Sequence, residues 1–275
     1  MFPPKKIVFP VDFSERCLSA ARMVEIFAGR FQAEVSLLHV LEPLSYNDIP
    51  VDSSGIAEQR LSTFLVDELK HFDVRRVLLE GDPATEITEY AHAQASDLIM
   101  LPTHGYGGFR RLILGSVTAK ILHAAECPVW TGVHMENVPR LEDISIKRIL
   151  CAIDLESQSC PTASWAKKLA AEFGAELAIV HAVPEAKEGA GLRNSKQDLI
   201  NHATEKVQAV QACVGTEARA FVIGDEVASA VCECAAREQS DLLLIGRSVK
   251  DGVLGRLRAN AYSIIRQSPC PVVSV

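Results

Sequence analysis

The sequence lacks an apolar run long enough to cross a membrane, and it lacks an excess of basic residues. Only five apolar residues separate Lys6 from Asp12, too few for the apolar core of a signal peptide. The formal net charge is −7, whereas non-specific nucleic-acid binding depends on a basic surface. These absences favour a cytoplasmic protein with neither a membrane nor a nucleic-acid partner.

The cysteines lack the CxxC spacing of common zinc sites, although the chain has eight of them. Cys232 and Cys234 form a CxC inside a helical pattern, where residues i and i+2 do not share a face. At about 3% of the chain, cysteine is below the density of a disulfide scaffold. We therefore expect reduced thiols, buried or half-buried, and no metal site.

The common catalytic signatures are also missing. The sequence contains no G-x-x-x-x-G-K-[ST] phosphate loop, no G-x-S-x-G elbow and no H-E-x-x-H zinc motif. The sequence therefore indicates no catalytic residue. The only catalytic activity that we leave open is slow ATP hydrolysis.

The chain is one unit written twice, with an offset near 142 to 144 residues between matched positions. The constant offset implies two homologous domains, residues 1–138 and 144–275, joined by a polar segment that carries Pro139. The clearest matches are KKIVFPVD (5–12) with IKRILCAID (146–154), SDLIMLPTHG (96–105) with SDLLLIGRSV (240–249), and ECPVWTGV (126–133) with PCPVVSV (269–275).

Each copy alternates short apolar runs with helical patterns. The runs, such as IVFPV and DLIML, are nearly continuous rather than alternating, which indicates strands covered on both faces. The order β-α-β-α-β-α-β-α-β predicts an α/β fold in each domain: a five-stranded, parallel, doubly wound sheet with helices on both faces.

Helix boundaries are predicted from capping residues and apolar stripes. In copy one, Ser14 is expected to cap a helix that ends near Gly29, and Asp82 to cap one with Pro83 in its first turn. A third helix is expected over residues 57–71, with Ala57, Leu61, Phe64, Leu65 and Leu69 on one stripe. In copy two, the expected helices run from Pro161 to near Gly174, and along a stripe of Leu199, Ile200, Ala203, Val207 and Val210.

The loop PTHGYGGFRRLILGS (102–116) follows the fourth predicted strand, at the edge of the sheet where such folds bind ligands. Glycine allows close backbone approach, and the helix that starts near Ser116 offers free N–H groups to an anion. The loop is either a phosphate cradle or a turn, and Ser116 either binds phosphate or caps its own helix. Copy two keeps the strand and helix without these glycines, which favours the cradle.

Polar residues at the other strand ends leave two interpretations open. Asp12 and Asp154 follow the first strand of each copy, where a carboxylate can accept from a nucleoside or form an Asx-turn. His39 and His181 recur inside the second strands, which is more typical of packed histidines than of ligands. His104 lies in the loop itself, with no paired acid or nucleophile.

Residues 81–130 resemble the universal stress protein family through GDP, THG, G-S-V and C-P-V. The resemblance covers both halves, so it implies a tandem member with the HUP-like nucleotide-binding fold. ATP-binding members of the family carry Gly-x2-Gly-x9-Gly-[Ser/Thr] after the fourth strand. The matching positions are Pro102, Gly105, Gly115 and Ser116, and Pro102 removes the N–H that the first glycine would provide.

By this resemblance, copy one binds ATP, with or without Mg²⁺. The resemblance also implies pseudo-two-fold pairing of the two domains through their last strands, and it leaves a homodimer open. The implied nucleotide-binding residues are Asp12, Val40, Pro102, His104, Gly105, Gly115, Ser116, Val117 and Thr118.

Copy two departs from the motif. Its four positions read Gly246, Val249, Ala259 and Asn260, so only the first glycine survives. We expect this half not to bind ATP in the family manner and to serve a structural or regulatory role.

Two other functions remain as alternatives. The first is a stress or interaction protein of the same fold that binds another small ligand or a protein, which Pro102 favours. The second is an enzyme of the wider nucleotide-binding α/β group, such as an ATP pyrophosphatase. That alternative is disfavoured because the place after the first strand reads PVDFSERC, without glycine.

Overall fold

A computed structural model describes residues 2–42, 53–102, 114–132, 144–184, 196–247 and 259–275. The chain forms two compact units, Met1–Ile144 and Ser145–Val275, called domain 1 and domain 2 below.

Domain 1 has five strands and four helices within the described residues. In chain order they are β1 (Lys6–Pro10), α1 (Glu15–Phe31), β2 (Glu34–Leu41), α2 (Ser53–Thr63), β3 (Val74–Glu80), α3 (Pro83–Ala93), β4 (Leu98–Pro102), α4 (Ser116–Ala124) and β5 (Val129–Gly132).

Domain 2 repeats this order over its own described residues. Its elements are β6 (Arg148–Ala152), α5 (Ser159–Phe173), β7 (Glu176–Val183), α6 (Lys196–Val214), β8 (Arg219–Gly224), α7 (Val227–Arg237), β9 (Leu242–Ile245), α8 (Ala259–Gln267) and β10 (Val272–Ser274).

The strands within each domain pair in parallel, which confirms the predicted fold class. The strand order in domain 1 is β3-β2-β1-β4-β5, and in domain 2 it is β8-β7-β6-β9-β10. The central strand β1 is covered on both faces, since Ile7, Val8 and Phe9 are each at most 1% exposed. The strand order reverses between β1 and β4, so their carboxyl ends border a crevice.

Two helix boundaries of domain 1 differ from the prediction. Helix α1 continues past Gly29 to Phe31 and ends where Gln32 adopts the left-handed conformation, with φ of 49°. Packing explains the extension, because Phe31 is 3% exposed and contacts the rings of Phe27 and Phe2. Ser14 occupies the N-cap position of α1, but its side chain makes no capping hydrogen bond.

The helix predicted over 57–71 ends at Thr63, and Leu65 adopts a positive φ of 55°. Arg76 on β3 donates from Nε to the Leu61 carbonyl and from Nη2 to the Phe64 carbonyl, each at 2.8 Å. These bonds supply partners to carbonyl groups at the end of α2. The predicted apolar stripe is buried nevertheless, because Leu61, Leu65 and Leu69 are at most 3% exposed.

Candidate functional site

A cavity of about 500 Å³ opens at the carboxyl ends of β1, β2 and β4 in domain 1. It lies at the reversal of strand order, where parallel sheets bind ligands. Seven of the nine residues implied by the resemblance line it: Asp12, Val40, Pro102, Gly115, Ser116, Val117 and Thr118. His104 and Gly105 lie outside the described residues.

Asp12 borders the cavity and also organises the turn that leads into α1. Its Oδ1 accepts from the backbone N–H of Ser14 at 3.0 Å, which is the Asx-turn expected as one alternative. The same oxygen accepts from the thiol of Cys17 at 3.1 Å. The turn is therefore formed by a carboxylate that also faces the cavity.

His39 lies beside Asp12 with its ring oriented by two contacts. Its Nδ1 lies 2.7 Å from the Val11 carbonyl oxygen, which only accepts, so Nδ1 carries a proton. The His39 ring also packs on the ring of Phe13, with centroids 4.4 Å apart. The guanidinium of Arg60 stacks over the same Phe13 ring, 4.4 Å from its centroid. His39 is thus a packed residue that also lines the cavity.

The same histidine contact recurs in domain 2, where His181 Nδ1 lies 2.9 Å from the Ile153 carbonyl oxygen. Burial lowers the pKa of His181, which favours the neutral ring at physiological pH. The backbone repeats as well, because Phe13 and Leu155 both adopt a φ of 61°. The two domains therefore share the architecture of this edge.

The start of α4 forms the side of the cavity next to β4. Gly115 occupies the N-cap position and Ser116 is the first helical residue, so the alternative in which Ser116 caps its own helix is wrong. Ser116 is exposed and lines the cavity. The buried hydroxyl of Thr118 donates to the Pro102 carbonyl at 3.3 Å, which fastens the first turn of α4 to the end of β4.

The GDP turn supports α4 from the neighbouring helix. Asp82 caps α3 as predicted, accepting from the Thr85 N–H at 3.1 Å, with Pro83 in the first turn. Its other oxygen accepts from Lys120 of α4 at 2.9 Å. Lys120 and the two Thr85 donors lower the pKa of Asp82 to about 2, so the carboxylate is charged at neutral pH.

Several cavity residues were missed from the sequence. Cys17, Glu42, Pro83 and Ile87 also line it. Glu42 follows directly after β2, so the rule that ligands bind at strand ends was a signal for it. Gly81, which follows directly after β3, donates its N–H to the Leu41 carbonyl at 2.9 Å.

A family model described as the universal stress protein family matches residues 3–131 and 145–275. The chain belongs to the universal stress protein family. Because the family model matches twice, the chain is a tandem member, with one family unit in each half.

Universal stress proteins of Methanocaldococcus jannaschii are among its relatives. MJ0531 is 34% identical over 138 residues, covering 46% of this chain and 79% of the relative. MJ0577 is 30% identical over 149 residues, covering 46% of this chain and 92% of the relative. Each match extends over less than half of the tandem chain.

A solved universal stress protein from Archaeoglobus fulgidus DSM 4304 shares the fold over nearly the whole chain. The TM-score is 0.70 at 21% identity, covering 98% of this chain and 95% of the other. PA1789 from Pseudomonas aeruginosa PAO1 gives the same TM-score at 18% identity, covering 99% and 92%. At these identities the likeness concerns the fold alone.

Domain 2 differs from domain 1 at the end of β9, the strand that corresponds to β4 of domain 1. A Cβ added at Gly246 would lie 2.9 Å from Oγ1 of Thr162, which is 1% exposed. Domain 1 carries Pro102 and Ala20 at the corresponding positions. A side chain at position 246 would therefore force the packing against α5 to shift. At the corresponding positions, domain 1 has a larger strand-end residue and a smaller helix residue.

The cysteine prediction is wrong for one pair and holds for the other six cysteines. Cys160 and Cys213 form a disulfide within domain 2, although reduced thiols were expected. Their Cα atoms are 6.4 Å apart, within the range that a disulfide requires. Six cysteines lie outside the disulfide: Cys17, Cys151, Cys232, Cys234 and Cys270 are buried, and Cys127 is half-buried.

Over the described segments, no helix combines the length and apolar character that a bilayer crossing requires. In the same segments, no group of three or more His, Cys, Asp or Glu side chains is arranged to hold a metal ion.

Proposed function

We propose that domain 1 binds ATP or a related adenine nucleotide in the cavity at the β1–β4 crevice. The observation that carries the proposal is that strand-end carboxylates and the start of α4 line one cavity. The ligand's phosphates are assigned to the start of α4, and its adenosine to the ends of β1 and β2.

The charge distribution of the cavity matches such a ligand. Asp12 and Glu42 follow β1 and β2, so acceptor oxygens lie on one side. Helix α4 follows β4 on the other side, and its free N–H groups and dipole favour an anion. A nucleotide has hydroxyl and amino donors at one end and phosphates at the other.

The size and lining of the cavity also suit a nucleotide. Its volume of about 500 Å³ lies inside the range of small-molecule sites. Apolar side chains such as Ile87, Leu101 and Ile121 supply walls against which a flat base can pack. Pro102 has no backbone N–H, so residue 102 at the end of β4 donates no backbone hydrogen bond to the ligand.

Domain 2 is proposed to bind no ATP in this manner and to act as the structural or regulatory half of the protein. Helix α8 starts with Ala259 and the exposed Asn260, where domain 1 has Gly115 and Ser116. By the family motif, a glycine at this position lets the backbone approach a phosphate, and residue 259 is not a glycine.

The proposal is tested by calorimetric titration of the full chain with ATP. Gly115→Val places an isopropyl group at the phosphate side, and we expect roughly tenfold weaker binding or more, which is about 1.4 kcal/mol. Ala259→Val is the matched control, since it makes the same type of change at the corresponding position of domain 2. Wild-type affinity no better than millimolar, or equal effects of the two variants, would contradict the proposal.

A further inference from the structure

We propose that Cys17 is a positioning residue of the cavity, whose thiol holds the Asp12 carboxylate in the orientation that meets the ligand. This inference rests on the proposed nucleotide site. It concerns a residue outside the glycine motif, and it assigns the buried thiol a role in binding rather than in packing alone.

The geometry around Asp12 supports this role. Cys17 is 1% exposed and lines the cavity, and its Sγ lies 3.1 Å from Asp12 Oδ1. The hydroxyl of Ser14 donates to the same Sγ at 3.8 Å. Together with the Ser14 N–H, these groups constrain the carboxylate from the α1 side.

The protonation state fixes the direction of the bond. Burial, followed by the neighbouring charge of Asp12, raises the pKa of Cys17 to about 12. The thiol is therefore protonated at physiological pH, and a carboxylate only accepts. Cys17 donates, and it remains inert as a nucleophile because it lacks thiolate character.

Domain 2 repeats the relationship with a different donor atom. Ser159 occupies the position of Cys17, and its hydroxyl donates to Asp154 Oδ1 at 3.1 Å. The Glu156 N–H donates to the same oxygen at 2.9 Å, as Ser14 does in domain 1. Ser159 is also buried, at 3% exposed. Cysteine and serine each carry one rotatable hydrogen-bond donor. Both domains therefore keep a side-chain donor to the aspartate at this position.

The test compares ATP affinity of the full-length wild type with that of Cys17→Ser and Cys17→Ala. We expect Cys17→Ser to bind within about threefold of wild type, because the donor is retained. We expect Cys17→Ala to bind roughly tenfold more weakly, from loss of one hydrogen bond to a charged group. Ser159→Ala is the matched control, which removes the same bond from domain 2 and leaves ATP affinity unchanged.

A structural role alone would reduce thermal stability in both Cys17 variants without restoring affinity in the serine variant. If folded Cys17→Ala binds ATP as the wild type does, the inference fails while the proposed function stands. If the wild type binds no ATP, the proposed function fails. The inference is then decided by crystal structures of the ligand-free wild type and Cys17→Ala. A rotated or multiply oriented Asp12 carboxylate in the variant supports positioning by Cys17, and an unchanged orientation overturns it.

Discussion

Lys120 Nζ lies 2.9 Å from Asp82 Oδ2, joining the cap of α3 to the second turn of α4. The hydrogen bonds from Lys120 and Thr85 depress the pKa of Asp82 to about 2, from an ordinary value of 3.8. The ionised Asp82 carboxylate therefore stabilises the folded state. The stabilisation is fully present above the unfolded value of 3.8. It is lost as the pH falls through about 2.

We therefore predict that Asp82→Asn loses stability relative to wild type at neutral pH, and that the difference shrinks between pH 4 and pH 2, the window set by these values. Denaturant unfolding of both proteins over that range measures it. Lys120 and Asp82 are both exposed, so added salt should reduce the part of the stability difference that comes from their ion pair. The hydrogen bonds from Thr85 that cap α3 should persist in added salt. A difference that does not depend on pH would contradict the account of this pair.

The Gly246–Thr162 contact predicts a coupled pair of substitutions. Gly246→Ala places a Cβ 2.9 Å from Thr162 Oγ1, closer than the packed strand end and helix allow. We expect a loss of about 1–3 kcal/mol in the free energy of unfolding, typical of an overpacked core. The double variant Gly246→Ala, Thr162→Ala should recover most of it, because alanine at position 162 removes the side-chain oxygen that the added Cβ approaches. Additive losses in the double variant would show that the two residues are not in contact.

The Cys160–Cys213 disulfide closes a loop of sequence separation 53 in domain 2. By loop-closure entropy, its reduction should lower the unfolding free energy by up to about 4 kcal/mol. Chemical denaturation with and without a reductant measures this, and Cys213→Ser serves as a control that should no longer respond to reductant. The unfolded, unreduced protein should show six reactive thiols, rising to eight after reduction. Eight thiols without reductant would rule out the disulfide.

The sequence predicted the strands and the sheet because their signal is local. Continuous apolar runs such as Ile7 to Phe9 are buried on both faces, and the order of elements leaves few topologies. Helix ends were less predictable because they depend on distant partners. Arg76, from β3, supplies donors to the end of α2, and no local pattern around Thr63 reveals that contact.

The candidate site was predictable where it depends on strand ends and on the family motif. Asp12, Val40 and the start of α4 come together because parallel strands present their carboxyl ends at one edge. The contact between Cys17 and Asp12 was not predictable, because it depends on the turn geometry at Phe13. The exchange of Gly246 and Thr162 for Pro102 and Ala20 also required coordinates, since each pair lies on two separate elements.

We propose that one domain of this tandem universal stress protein binds nucleotide and that the other does not. Equilibrium dialysis of the full chain against labelled ATP at saturating concentration tests it most directly. We expect one ATP per chain, falling towards zero in Gly115→Val and remaining at one in Ala259→Val. Two ATP per chain, or none, would contradict it.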